Sequence, residues 1–258
     1  MSSISRFVSL LCCTALLMCA SLTSQAQDAP QRVIVRKYVV KVGANDKFEE
    51  AVKKFKEAVK KTKAPYRWLA SQSFVGDGNS YNIVIPFSSW GTFAEERNVL
   101  KEAYSKREVD RILGLFEESV VKTKSAAYTV NMDASRPLPA GSPEVAVLLL
   151  YINPKQGMGQ QLQQFATKVK EASVATEPDA YFEFLNGGIG AKGNLVVIPV
   201  KAWTDLDREL KPIPQRLSEH FGEKEGAKIL ETGGASIANE KTNLQVIRAD
   251  LANPPEQQ

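Results

Sequence analysis

The sequence predicts an α+β protein made of two copies of one β-α-β-β-α-β unit, and three observations predict it. The run YNIVIPFSSW at Tyr81–Trp90 returns as NLVVIPVKAW at Asn194–Trp203, so that Pro86 and Pro199 stand 113 apart (199 − 86), as do Trp90 and Trp203 (203 − 90). The same spacing links Tyr38 to Tyr151, Pro65 to Pro178 and Trp68 to Tyr181. Strand-like and helix-like hydrophobic periods then alternate in one order in both copies, and a repeat of about a hundred residues has the size of a whole domain.

In the first copy, Val33–Val42 is rich in β-branched residues and reads as a strand. Gly43-Ala44-Asn45 turns the chain. Asp46, with Glu49 three residues on, predicts a capping box for a helix that runs to about Thr62, with Phe48, Val52, Phe55 and Val59 on its core face. Strands at Tyr66–Val75 and Tyr81–Phe87 flank Gly76-Asp77-Gly78-Asn79, the turn of a hairpin. A helical region opens at Trp90, breaks near Tyr104 and restarts at Lys106 behind a Ser105/Glu108 capping box, with Val109, Ile112, Leu113 and Phe116 facing the core. Ala126–Asp133 completes the unit as a fourth strand.

The second copy repeats the order after SRPLPAGS, a linker with two prolines and a glycine. Val145–Ile152 is its first strand. Met158, Leu162, Phe165 and Val169 mark the core face of its first helix. Tyr181–Leu185 and Leu195–Val200 form a hairpin across Asn186–Gly193, Trp203–Glu231 is a broken helical region, and Leu244–Ala249 is the last strand. Within the first helices, Phe55–Lys60 aligns with Phe165–Lys170 at a spacing of 110 (165 − 55), and near the end Ile112-Leu113 answers Ile229-Leu230 at 117 (229 − 112). The resulting division is 27–134 for the first repeat, 135–142 for the linker, 143–252 for the second repeat and 253–258 for a polar tail.

Residues 1–26 read as a cleaved signal peptide: Arg6, an apolar run at Phe7–Ala20, a mostly polar stretch, then Ser24 and Ala26 at the positions where a cut after Ala26 needs small residues. The apolar run is shorter than the ~20 residues of a membrane span. The expected location is therefore periplasmic or secreted. All three cysteines, Cys12, Cys13 and Cys19, lie in this segment, so the mature chain has no disulfide and no thiolate chemistry. Its net charge is +3, one less than the +4 of the full chain because Arg6 is lost. The lysines at 53, 54, 56, 60, 61 and 63 are interleaved with apolar positions and read as a solvated helix face rather than a nucleic-acid or membrane patch.

Each unit has the ferredoxin-like arrangement, a four-stranded antiparallel sheet with both helices on one face. Topology in both copies, with a tryptophan at the start of the second helix, resembles the dimeric α/β-barrel superfamily, which includes antibiotic-biosynthesis-monooxygenase-like and stress-responsive barrel domains. The resemblance implies two sheets packed over a cavity, here as a monomeric pseudo-dimer within one chain or, alternatively, as a homodimer. The first strand of the second copy fits a sheet covered on both sides, with Val147, Leu149 and Tyr151 on one face and Ala146, Leu148, Leu150 and Ile152 on the other. Fold alone assigns no reaction.

The candidate ligand-binding residues are Tyr38, Trp68, Tyr151, Tyr181 and Glu183. The four repeated aromatics would line an inter-repeat pocket for a small apolar or aromatic ligand; repeated core is the competing explanation. Glu183 stands in an apolar strand and would be a general base if buried, or a solvated acid if it lies at the hairpin edge. Trp90 and Trp203 read as hydrophobic plugs at strand-to-helix corners. The glycine-rich Asn186–Gly190 joins two strands, which is the wrong context for a phosphate loop. His220 is the single histidine. Some members of the superfamily bind or degrade haem through a helix histidine helped by a tryptophan and an asparagine, which the resemblance carries onto His220, Trp203 and Asn153. Two prolines and a separation of 17 (220 − 203) depart from that pattern, and a surface histidine is the alternative. No metal-ligand cluster, paired carboxylate or Ser/His/Asp arrangement stands out, so no metal and no cofactor is expected. Two functions fit: an exported small-molecule binding or accessory protein of the cell envelope, or a cofactor-independent oxygenase-like enzyme acting on an apolar or aromatic substrate in the inter-repeat cavity. The residues leave open whether the protein is an enzyme.

Overall fold

The computed structural model describes residues 31–91, 98–139 and 141–254. The expected signal peptide with its cut after Ala26, part of the region after Trp90 and the end of the polar tail lie outside the described residues. The first half supplies strands β1 (Arg32–Val40), β2 (Leu69–Val75), β3 (Ser80–Phe87) and β4 (Val120–Val130), with helices α1 (Asn45–Thr62), α2 (Val99–Ala103) and α3 (Lys106–Ser119). The second supplies β5 (Ala146–Pro154), β6 (Glu183–Gly187), β7 (Asn194–Val200) and β8 (Ile237–Ile247), with α4 (Gly159–Thr176), α5 (Ile213–Phe221) and α6 (Glu223–Ser236).

The strands close into one antiparallel barrel in the order β1-β3-β2-β8-β5-β7-β6-β4. The two halves meet edge to edge, through β2 with β8 and β4 with β6, within a single chain. The two sheets thus form the expected pseudo-dimeric barrel, and its closure into a ring leaves no unpaired sheet edge. Eight strands enclose a space that side chains can fill. Val33, Tyr128, Val130, Val147, Leu149, Leu185 and Leu195 occupy it. The helices pack on the outside, α1 and α3 on the first half and α4 on the second, each over its own core.

The register corrects the spacing of the repeat. β1 and β5 are both nine residues long and lie 114 apart (146 − 32). The helices α1 and α4 have 18 residues each at the same 114 (159 − 45). Val33 pairs with Pro86 and Val147 with Pro199, which keeps β3 and β7 at 113 (199 − 86). β4 and β8 have 11 residues each at 117 (237 − 120), as do α3 and α6 with 14 each (223 − 106). The repeated proline falls where β3 and β7 have outrun β2 and β6, a position that lacks a ladder partner on one side and tolerates a missing N–H.

Local chemistry explains the element ends. Ser105 caps α3 by accepting from the Glu108 amide, as its spacing implies. The box expected at Asp46 and Glu49 does not form: α1 starts at Asn45 after Ala44, with no side-chain cap. The Glu49 carboxylate instead receives Arg248 at 2.5 and 2.6 Å and the Tyr81 hydroxyl at 2.8 Å. β4 and β8 begin well before the apolar runs at Ala126 and Leu244, because ladders to β1 and β5 hold their exposed polar stretches in extended form. Beyond β8 the chain crosses to the first half, where the Trp68 indole donates to Leu251 O at 2.8 Å and Leu251 is fully buried. Beyond β4 it crosses the other way, and Arg136 bridges to Phe182.

Candidate functional site

A cavity lies between the sheet and the helices of the second half. It measures about 430 Å³. Its floor is the outward face of the sheet, with Leu148, Leu150 and Ile152 from β5, Val196 and Ile198 from β7 and Phe184 from β6. α4 supplies Leu162, Phe165, Ala166, Val169 and Ser173. These residues alternate along the strands opposite the set that fills the barrel, so the same pleat that builds the interior exposes this floor. α5 and the segment leading into it line the remaining side, with Ile213 and Arg216 from the helix and Leu206 and Leu210 before it.

The rim carries charges of both signs, partly paired. Arg208 lies 3.3 Å from Glu177 and 3.6 Å from Asp179. Asp205 accepts the backbone amides of Lys201 and Ala202 at 2.9 and 3.0 Å. Lys201 and Arg136 sit over the Tyr181 ring, 5.6 and 5.1 Å from its centre. Arg216 is buried, donating through Nε to Lys211 O at 2.6 Å and through Nη1 to Ser173 Oγ at 3.1 Å. Burial pushes its guanidinium down from the ordinary value; Glu177 counters this and Arg208 adds to it.

The barrel interior holds a second polar cluster. Asp77, in the β2–β3 turn, accepts from Lys241 and from the Asn243 amide, and lies 2.5 Å from Lys37. Burial alone would raise its carboxyl, but the bonds from Lys241 and Lys37 hold it below the usual carboxylate value. Deeper inside, Ser71 and Asn82 donate to Gln245 Oε1 at 2.5 and 2.8 Å. This network bridges β2 and β3 of the first half to β8 of the second.

The structure does not gather the expected binding residues. A one-residue slip turns a strand side chain to the other face. Tyr38 at 114 corresponds to Ile152 (152 − 38), so it lies against Phe48 in the first-half core, while Tyr151 faces the barrel interior. Trp68 is core, packed on Phe55 at 5.6 Å. Tyr181 alone reaches the cavity wall. Glu183 pairs with Val197 on the barrel side, and its carboxyl is raised by burial and by Glu144. Tyr151 is raised by burial, then by Tyr128 and Asp77, and Glu183 is not among its perturbing neighbours. The cavity lies inside one repeat, and Tyr181 is the one expected binding residue on its wall.

The haem arrangement is not assembled either. His220 is exposed with its ring on Phe221 at 4.5 Å, Trp203 lies on Phe74 at 5.6 Å, and Asn153 binds Asn239. None of the three lines the cavity. Trp90 and Trp203 are 45% and 44% exposed, so neither plugs a core. Gly190 takes a positive φ of 78° against Ser125 O, a close approach that explains the glycines of this loop without a ligand. Among the described residues no group of three or more His, Cys, Asp or Glu could hold a metal ion, and no helix is long and apolar enough to cross a membrane. Sequence reasoning missed Ser173 and Arg216. For Arg216 a signal was available, since at the spacing of 117 it stands where the first copy has Val99, whereas Ser173 meets Val59 only in the 114 register that the structure reveals.

No family model and no curated relative matches the sequence. Solved structures do match. A Fusobacterium nucleatum protein with a proposed monooxygenase function is 13% identical over 86% of this chain and 94% of its own, with a TM-score of 0.53. A mutant chlorite dismutase from Candidatus Nitrospira defluvii is 6% identical over 86% of this chain and 93% of its own, at 0.51. A protein proposed as a chlorite dismutase is 11% identical over 86% and 97%, at 0.50. At such identities the likeness is one of fold. With the ring of eight antiparallel strands and the helices outside it, it is sufficient for one statement: the fold is of the dimeric α/β-barrel type, with both ferredoxin-like halves carried in tandem on one chain.

Proposed function

We propose that the protein is an oxygenase-like enzyme whose substrate, a small apolar or aromatic molecule, sits in the second-half cavity. One observation carries this reading: a mostly apolar chamber of about 430 Å³ with a few polar groups on its wall, the form that small-molecule sites take. The fold shared with a protein of proposed monooxygenase function supports the reaction class. The proposal needs no cofactor, and no residue is assigned a proton-transfer step. The amino-terminal segment supports action outside the cytoplasm, and closure of the barrel within one chain supports a monomer.

A second reading, a carrier without a reaction, is favoured by one feature: the raised acid Glu183 does not line the cavity. Dioxygen uptake by the purified mature protein, across a panel of phenols, naphthols and polycyclic quinols, separates the two. Uptake that is lost in Ala166→Trp, which fills the cavity, is the expected result. Binding without uptake would leave the carrier, and neither would overturn both.

A further inference from the structure

We infer that the cavity takes an apolar molecule bearing a carboxylate, and that Arg216 receives its charge. The inference rests on the cavity being a ligand site and adds the substrate class. Its basis is a pair of exchanges between the halves. At a spacing of 114 (173 − 59), Ser173 on α4 replaces Val59 on α1; at 117 (216 − 99), Arg216 on α5 replaces Val99 on α2. All four positions are buried, at 1% and 2% exposure for the valines, and 0% and 9% for Ser173 and Arg216. Two apolar core residues have thus become a hydrogen-bonded polar pair on the wall of an apolar chamber.

Core packing does not call for this exchange. A buried cation is strongly unfavourable unless an anion meets it. Arg216 forms no ion pair with any described residue, and its two bonds, to Lys211 O and Ser173 Oγ, end on neutral oxygens. Glu177, whose field it feels, already gives one oxygen to Arg208 and the other to the Lys211 amide. Arg208 adds a further positive charge. The bonds at Nε and Nη1 fix the guanidinium plane, and Nη2 remains for a ligand oxygen. A charge-assisted bond there is stronger than one to a neutral group. The rest of the ligand would lie along Leu148, Leu150, Val196 and Ile198, where a second charge would have no partner.

The test uses the full mature chain and two matched probe pairs, dodecanoate with dodecanol and 2-naphthoate with 2-naphthol, followed by calorimetric titration. The carboxylate of each pair should bind about tenfold more tightly than its alcohol. Arg216→Met should remove that preference and leave the alcohols within about twofold. Ser173→Ala, which keeps the cation, should retain it. The wild-type comparison stands alone if the methionine variant does not fold: alcohols that bind as tightly as carboxylates overturn the inference while leaving the cavity a ligand site. A preference that survives Arg216→Met also overturns it. If no probe binds, or if Ala166→Trp leaves binding unchanged, the cavity is not the site, and both the inference and the function it rests on fall.

Discussion

In the first half, the rings of Tyr38, Phe48, Tyr81 and Phe116 fill one end of the space between sheet and helices, with centres 4.6 to 6.4 Å apart. At the corresponding places the second half has Ile152, Leu162, Asn194 and Gly233. Four aromatics have become two aliphatics, an amide and a glycine on strands and helices of nearly the same lengths. Phe165 moves into part of the vacated room, since a Cβ on Gly233 would come within 2.1 Å of its ring. The cavity lies beside that ring. In a duplicated fold one copy can supply the aromatic core while the other gives up packing to hold a chamber; the backbone alone does not distinguish them.

The largest expected effect tests that division directly. Phe48 is fully buried, and Phe48→Ala should cost about 3–5 kcal/mol, read by urea unfolding. Its partner Leu162 already borders open space, so Leu162→Ala should cost about 2 kcal/mol, the low end for a buried leucine. Equal losses would mean that the two halves are packed alike, and the comparison would fail.

The next effect comes from the barrel interior, where Lys37 corresponds to Tyr151 at 114 (151 − 37). Asp77→Asn leaves the Lys37 ammonium without its carboxylate and should cost about 2 kcal/mol at pH 7, less than a fully buried pair because Lys241 is 58% exposed. The folded carboxyl lies below its ordinary 3.8 despite burial, because Lys241 and Lys37 bind it. Its contribution is therefore complete above pH 3.8 and is lost as pH falls through the lowered folded value. Wild type and variant should converge in acid, and a constant difference would show that packing, not charge, is at stake.

A smaller effect follows from returning the second half to the first-half pattern. Ser173→Val with Arg216→Val rebuilds the Val59–Val99 pairing and should raise stability by about 1–2 kcal/mol, since apolar replacement of a buried charge is often favourable. The same variant should lose its preference for carboxylates. A loss of stability would make Arg216 a structural tie between α4 and α5.

The repeat, the hairpins and the order of elements were legible because period-two and helical patterns survive in each copy. The face of each strand was not. Aligning Tyr38 with Tyr151 is wrong by one residue, which is harmless to topology and reverses every side chain. The helix alignment at 110 was wrong by four, about one turn, so the core face of α1 and α4 was still correct. Glu49 looked like a cap because its real partner, Arg248, is 199 residues away. The cavity was illegible for a different reason: it is defined by what four positions lack, and absence becomes visible only once the register is known.

The smallest effect concerns Glu183, which stands where the first half has Leu69 at 114 (183 − 69). Burial, and then Glu144, raises its carboxyl above the ordinary 4.5. For an acid raised on folding, the stabilising contribution is full below pH 4.5 and is lost as pH rises through the folded value. At pH 7 the ionised group is therefore held at a cost that the unfolded chain does not bear. Glu183→Gln should give a small rise in Tm at pH 7 that disappears near pH 4. Glu144→Gln should give a smaller part of that rise, because burial is the larger cause and remains. If Glu183→Gln leaves Tm unchanged at both values, the carboxyl is solvated, and the strand end opens to water there as it does at Leu69, which is 51% exposed.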